Sequence, residues 1–156
     1  MDKQKQLAAA IQIAVNAHAE QFDKGGKPYI LHPLHLMKQL LFDPELAAIA
    51  VLHDVVEDSN ITFEKLKQAG MSDRVIAALK LLTHQPKQLY DDYVQQICTN
   101  YDAIRVKRKD LEHNSDITRL RGIAQKDLIR MQKYHKAFIQ LTEAKRVYEK
   151  GTSEIR

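Results

Sequence analysis

This chain has one cysteine, no apolar run long enough to span a bilayer, and no surface where basic and aromatic residues gather. Each absence removes a class of function. A lone Cys98 excludes an internal disulfide and points to the cytoplasm. The missing apolar run excludes a transmembrane helix. The first residues, MDKQKQLAAA, lack the order of charged and apolar regions that marks a secretory signal. Lysine and arginine are spread along the chain with no aromatic platform among them, which argues against nucleic acid as a partner. Repeats and low-complexity stretches are absent too, and no alternating pattern runs longer than the short PYIL segment.

What is there is one globular domain's worth of sequence. The 156 residues are 44% hydrophobic and 28% charged, with a net charge of +4. That length can bury a sizeable core, and the mild basicity suits an anionic ligand. Apolar residues recur at helical spacing almost throughout. Leu7, Ile11, Val15 and Phe22 define a first helix of about 20 residues. The irregular loop DKGGKPYILHP follows, and Pro33 opens the second helix. Asp43-Pro44 reads as an N-cap and first helical residue, starting a third helix over about 44–58. Thr62 and Ser72 are further caps, before VIAALKLL in the second case. Beyond the break at Gln85-Pro86, YDDYVQQICTN and AIRVKRKDLEHN read as two helices. A long last helix spans about 125–150, with Leu128, Met131, Phe138, Leu141, Ala144 and Tyr148 on or near one apolar side and Gly151 as its C-cap. The expected fold is all-α, with helices packed around the third and seventh segments.

The chemistry concentrates in the third helix. His53-Asp54 lies inside the apolar run AAIAVLHDVVED, where an unpaired charge is costly to bury. A carboxylate placed there needs a cation, and neutral His with ionised Asp suits a divalent metal. On a continuous helix His53 and Glu57 share one face, and Asp54 and Asp58 the next. His32, before Pro33, and Asp110, among the cations of VKRKDLEHN, become ligands only if the fold brings them to that pair.

The motifs GGKPYILHP, AVLHDVVEDS, ITFEKLKQAG and VKRKDLEHN, in that order, resemble the HD superfamily of metal-dependent phosphohydrolases. Within it the chain is similar to the hydrolase domain of RelA/SpoT-type proteins and their small stand-alone relatives. These remove pyrophosphate from the 3′ position of guanosine tetra- and pentaphosphate alarmones. The resemblance covers about residues 15–120. It implies a single HD domain over 1–156, with the last helix outside the motif-bearing core. It also implies a metal site of His32, His53, Asp54 and Asp110, with manganese the usual ion. Glu57 and Asp58 match the acidic pair that positions or deprotonates the attacking water. Asn114, Lys24 and Lys107 match residues that face the substrate and its phosphates, and His113 and His35 read as supporting groups. The substrate class implied is a phosphorylated small molecule, a nucleotide above all. The alternative reading is a nucleotide-binding sensor that keeps the pocket without turnover. The sequence leaves a homo-oligomer open. One departure stands out. Asp23-Lys24 occupies the place of an Arg-Lys pair whose arginine stacks on guanine, and an acid cannot stack as guanidinium does. Selectivity for a guanosine alarmone is therefore expected to be weakened.

Overall fold

A computed structural model describes residues 1–154. Its described residues form nine α-helices and one short 3₁₀ turn. These are α1 (Lys3–Ala17), α2 (Leu31–Lys38), α3 (Pro44–Leu52), α4 (Val55–Asp58), α5 (Phe63–Gln68), α6 (Asp73–Leu82), α7 (Tyr90–Ile97), α8 (Tyr101–Asn114), the 3₁₀ turn (Ile117–Arg119) and α9 (Gln125–Glu154). The all-α expectation is met.

The centre of the molecule is α3. Every residue from Glu45 to Leu52 is buried, because α1, α2, α6 and α8 all pack against this helix. A helix apolar on all sides belongs in such a position. Its start is fixed locally: Asp43 accepts from the amides of Glu45 at 3.1 Å and Leu46 at 3.2 Å, with Pro44 at the first helical position. Thr62, Ser72 and Asn100 cap α5, α6 and α8 in the same way. Such caps satisfy amides that have no partner within the helix.

Several sequence expectations need correction. The first helix stops at Ala17, and Val15 and Phe22 are 43% and 66% exposed rather than core. The second starts at Leu31, so Pro33 lies within its first turn instead of opening it. The third does not run unbroken to 58. It ends at Leu52, and Asp54 adopts φ −108°, ψ 0°, before α4 resumes. The last helix runs through Gly151 to Glu154, so that glycine is no C-cap. Its buried face holds Asp127, Ala137 and Leu141, with Tyr134 and Phe138 partly buried. Leu128 and Tyr148 are exposed. PYIL gives no strand; its Pro28 forms an isolated antiparallel bridge with Phe22.

Candidate metal centre and adjoining cavity

Three elements bring the buried polar residues together. His32 comes from α2, Asp110 from α8, and His53 from the break after α3. One ligand atom of each lies within 4.8 Å of the others. Asp54, the fourth residue expected here, stands beside this set: its Oδ2 is 2.9 Å from His53 Nε2. The helix break aims both residues inward. His53 Nδ1 lies 2.7 Å from Ala50 O, and Asp54 accepts a short hydrogen bond from the Tyr29 hydroxyl.

The donor set fits a cation. A carbonyl can only accept, so His53 Nδ1 carries the proton. The Nε2 of neutral His53 is then a bare lone pair. It is buried, makes no properly directed hydrogen bond, and faces Asp54 at 2.9 Å and Asp110 Oδ1 at 3.4 Å. His32 lies beside it. Its Nδ1 meets His113 Nδ1 at 2.7 Å, and its Nε2 lies 2.8 Å from Asp110 Oδ1. Burial, with Arg119 and His32 adding to it, pulls the His113 pKa down to about 4. The bare Nε2 of His53 therefore faces two carboxylates. That arrangement calls for a positive charge between them, either a proton or a metal ion. Burial disfavours charge on His53, yet Asp54 and Asp110 raise its pKa well above the ordinary histidine range. Burial would likewise raise Asp54, but His53 beside it holds the carboxyl down to about 2.

Asp110 is the hub. Besides the histidines, Lys107 Nζ reaches its Oδ2 at 2.8 Å and Asn114 Nδ2 its Oδ1 at 2.9 Å. Lys107 thus points at the ligand set rather than into open space. Glu57 and Asp58, on α4, are both exposed. Burial on one side and nearby Asp54 raise both pKa values, although the His84 amide, 2.7 Å from Glu57 Oε1, opposes this for Glu57. The Asp58 carbonyl accepts from Gln21 Nε2 at 2.9 Å, which ties α4 to the loop after α1.

A cavity of about 340 Å³ adjoins this set. Tyr29 and Asn114 line it and bond directly to Asp54 and Asp110. The loop contributes Phe22, Asp23, Lys24 and Gly25. Arg119 and Leu120 come from the segment after α8, and Arg130 and Tyr134 from α9. Sequence reasoning missed Arg130 and Tyr134 because α9 resembled nothing with chemistry. Arg119 donates to His113 O at 2.9 Å and Asn114 Oδ1 at 3.2 Å, and stands 3.6 Å from Asp23. Lys24 sits close enough to Arg130, Lys126 and Lys133 that they, after burial, lower its pKa.

No family model matches the chain. It is 34% identical over 115 residues to a guanosine-3′,5′-bis(diphosphate) 3′-pyrophosphohydrolase from Haemophilus influenzae, a match covering 65% of this chain and 17% of that protein. It is 36% identical over 70 residues to the bifunctional (p)ppGpp synthase/hydrolase SpoT of Escherichia coli, covering 43% of this chain and 10% of the relative. The chain is a relative of the RelA/SpoT-type hydrolases. It spans only a small part of these larger proteins. Its fold is that of a metazoan SpoT orthologue that hydrolyses ppGpp, with a TM-score of 0.71 at 21% identity, covering 87% of this chain and 84% of the other. For this RelA/SpoT relative, the His/Asp cluster is compatible with a divalent metal. No described helix is long and apolar enough to cross a membrane.

Proposed function

We propose that this chain is a cytoplasmic, metal-dependent phosphohydrolase, a single HD domain over residues 1–156. Its substrate is a nucleotide-like pyrophosphate or phosphoester, with the 3′-pyrophosphate of guanosine 3′,5′-bis(diphosphate) the leading candidate. The observation that carries this reading is the buried His53 lone pair facing Asp54 and Asp110 beside a cavity lined by Lys24, Arg119 and Arg130. His32, His53, Asp54 and Asp110 would hold the ion, manganese in this reading. Such an ion supplies positive charge against phosphate oxygens and acidifies water.

The chain's own residues supply the rest. Lys24, Arg119 and Arg130 offset phosphate charge in the cavity, and Asn114 faces both cavity and ligand set. Lys107 keeps Asp110 ionised and oriented. Water attacks phosphorus, the bond from phosphorus to the leaving oxygen breaks, Glu57 takes the water's proton, and the departing oxygen takes up a proton from solvent to become a hydroxyl. Its raised pKa suits a group that must hold that proton. Asp58 is the acidic neighbour that positions the water.

The test is release of phosphate or pyrophosphate from a panel containing guanosine 3′,5′-bis(diphosphate), GTP and ATP, with manganese or with chelator. The expected result is manganese-dependent pyrophosphate release that chelator abolishes. Tight nucleotide binding without turnover would instead establish the sensor reading.

A further inference from the structure

Phe22 is a large aromatic side chain that the fold leaves two-thirds exposed, at the wall of the cavity. Exposing an aromatic ring forgoes the stabilisation of burying it. The backbone nevertheless fixes its place. Tyr29 N donates to Gln21 O at 2.8 Å and Asp23 N to Lys27 O at 2.8 Å, one bond on each side of the Phe22–Pro28 bridge. Tyr29, next to Pro28, in turn donates to Asp54. The ring is therefore held in register with the candidate metal ligands through one short antiparallel pairing.

Asp23, beside it, is unavailable to a ligand base. Its carboxylate accepts from Lys27 N at 2.9 Å and faces Arg119 at 3.6 Å. Burial would raise its pKa, but the Lys27 amide and Arg119 keep it low. Lys24, Arg119 and Arg130 in the same lining, against one further acid, Asp116, suit phosphate.

Resting on the functional reading above, we infer that Phe22 is the platform on which the nucleobase stacks. A phenyl ring offers a face and no hydrogen bonds, so it accepts any base. The site then selects a nucleotide by its phosphates and reads the base weakly. Phe22 acts on specificity and binding, and leaves the metal set untouched.

The probes are GDP, ADP and inorganic pyrophosphate, titrated onto the full chain with manganese present. Phe22→Ala should weaken both nucleotides by roughly ten-fold or more and leave pyrophosphate affinity unchanged. Wild type should bind GDP and ADP within about three-fold of each other, since stacking is base-tolerant. The chain has no tryptophan, so Phe22→Trp introduces a single indole. Its fluorescence should be quenched by both nucleotides and not by pyrophosphate. Equal nucleotide affinity in wild type and Phe22→Ala overturns the inference, and so does equal loss for all three probes. A strong preference for GDP over ADP does the same. Each of these leaves the phosphohydrolase reading standing if wild type still turns over. A wild type that binds none of the probes and releases no pyrophosphate overturns both.

Discussion

At its N-terminal end α3 carries Asp43 and Glu45; just past its C-terminal end come His53 and Asp54. Both pairs are largely withdrawn from water, and both draw on residues far away in sequence. The first is complete. Arg74 donates to Asp43 at 2.7 Å, Glu45 at 3.1 Å and Asp102 at 2.8 Å, while Ser72 reaches the second oxygen of Glu45 at 2.7 Å. Arg105 adds a further donor to Asp102 at 2.7 Å. Each carboxylate there meets a donor. The second pair is incomplete, since the His53 Nε2 lone pair faces acids with no donor between them. Buried charge alone does not mark a site. A shortage of positive charge among otherwise well-fixed groups does.

The sharpest break of this contrast is Asp110→Ala. It removes the hub of the incomplete end, and turnover should fall by about 10³-fold, the equivalent of several kcal/mol of lost charge stabilisation. Metal content measured on the purified variant should fall with it; full occupancy would contradict the ligand assignment.

Glu57→Gln comes next. It should keep the metal and cost about 10²- to 10⁴-fold in turnover, the range for a lost general base. The amide oxygen can still accept from His84 N, so the melting temperature should hold. Near-normal turnover would move the proton-accepting role to Asp58.

Arg74→Met tests the complete end. It should leave turnover intact and cost about 2 kcal/mol, at the lower side for a broken charge network because Arg74 is 35% exposed. A thermal melt should show a loss of roughly 4–8 °C. The pH dependence has a definite sign. Arg74 lowers Asp43 and Asp102 against burial, and the Ser72 hydroxyl is the foremost influence lowering Glu45. Groups with depressed folded pKa values stabilise above their unfolded values, and that stability is lost as pH falls below about 4. The variant should therefore show a shallower acid limb than wild type.

The smallest effect belongs to Asp23→Arg. Judged by sequence, this change restores a base-stacking arginine. In the structure it removes the acceptor for Lys27 N and sets a cation against Arg119. The expected outcome is a loss of about 1 kcal/mol by melt, partly recovered by adding Arg119→Asp. Gain of alarmone selectivity in the single variant would show that the loop can reopen.

The fold was legible wherever a local signal decides structure. Asp43-Pro44, Thr62 and Ser72 each announce a helix through a side chain reaching its own next turn, and all three do so. The break at His53-Asp54 left no such signal, because AVLHDVVED keeps an apolar pattern compatible with one helix. Tertiary partners are what the break engages there: Asp54 is held by Tyr29 from the loop, and Asp110 faces His53 from α8. Likewise His53 and Asp54 stood out by their apolar setting and His32 and Asp110 through the resemblance, whereas Arg119, Arg130 and Tyr134 gain their place only from how α9 and the segment before it pack.

The glycines of the loop carry one more consequence, for the order in which the molecule matures. Gly25 lies so close to the later chain that an added Cβ would come within 2.3 Å of Arg119 O, and its own carbonyl accepts from Arg121 Nε across 96 positions. A nascent chain grows from its N-terminus and folds as segments emerge. Asp110 emerges before Arg119 and Arg121, and those before Arg130. The His/Asp cluster can therefore assemble on a growing chain that still lacks one wall of the adjoining cavity. Closing that wall is a long-range event, slow by topology. Affinity for ion and affinity for organic ligand should thus arise as two separate steps during synthesis, in that order.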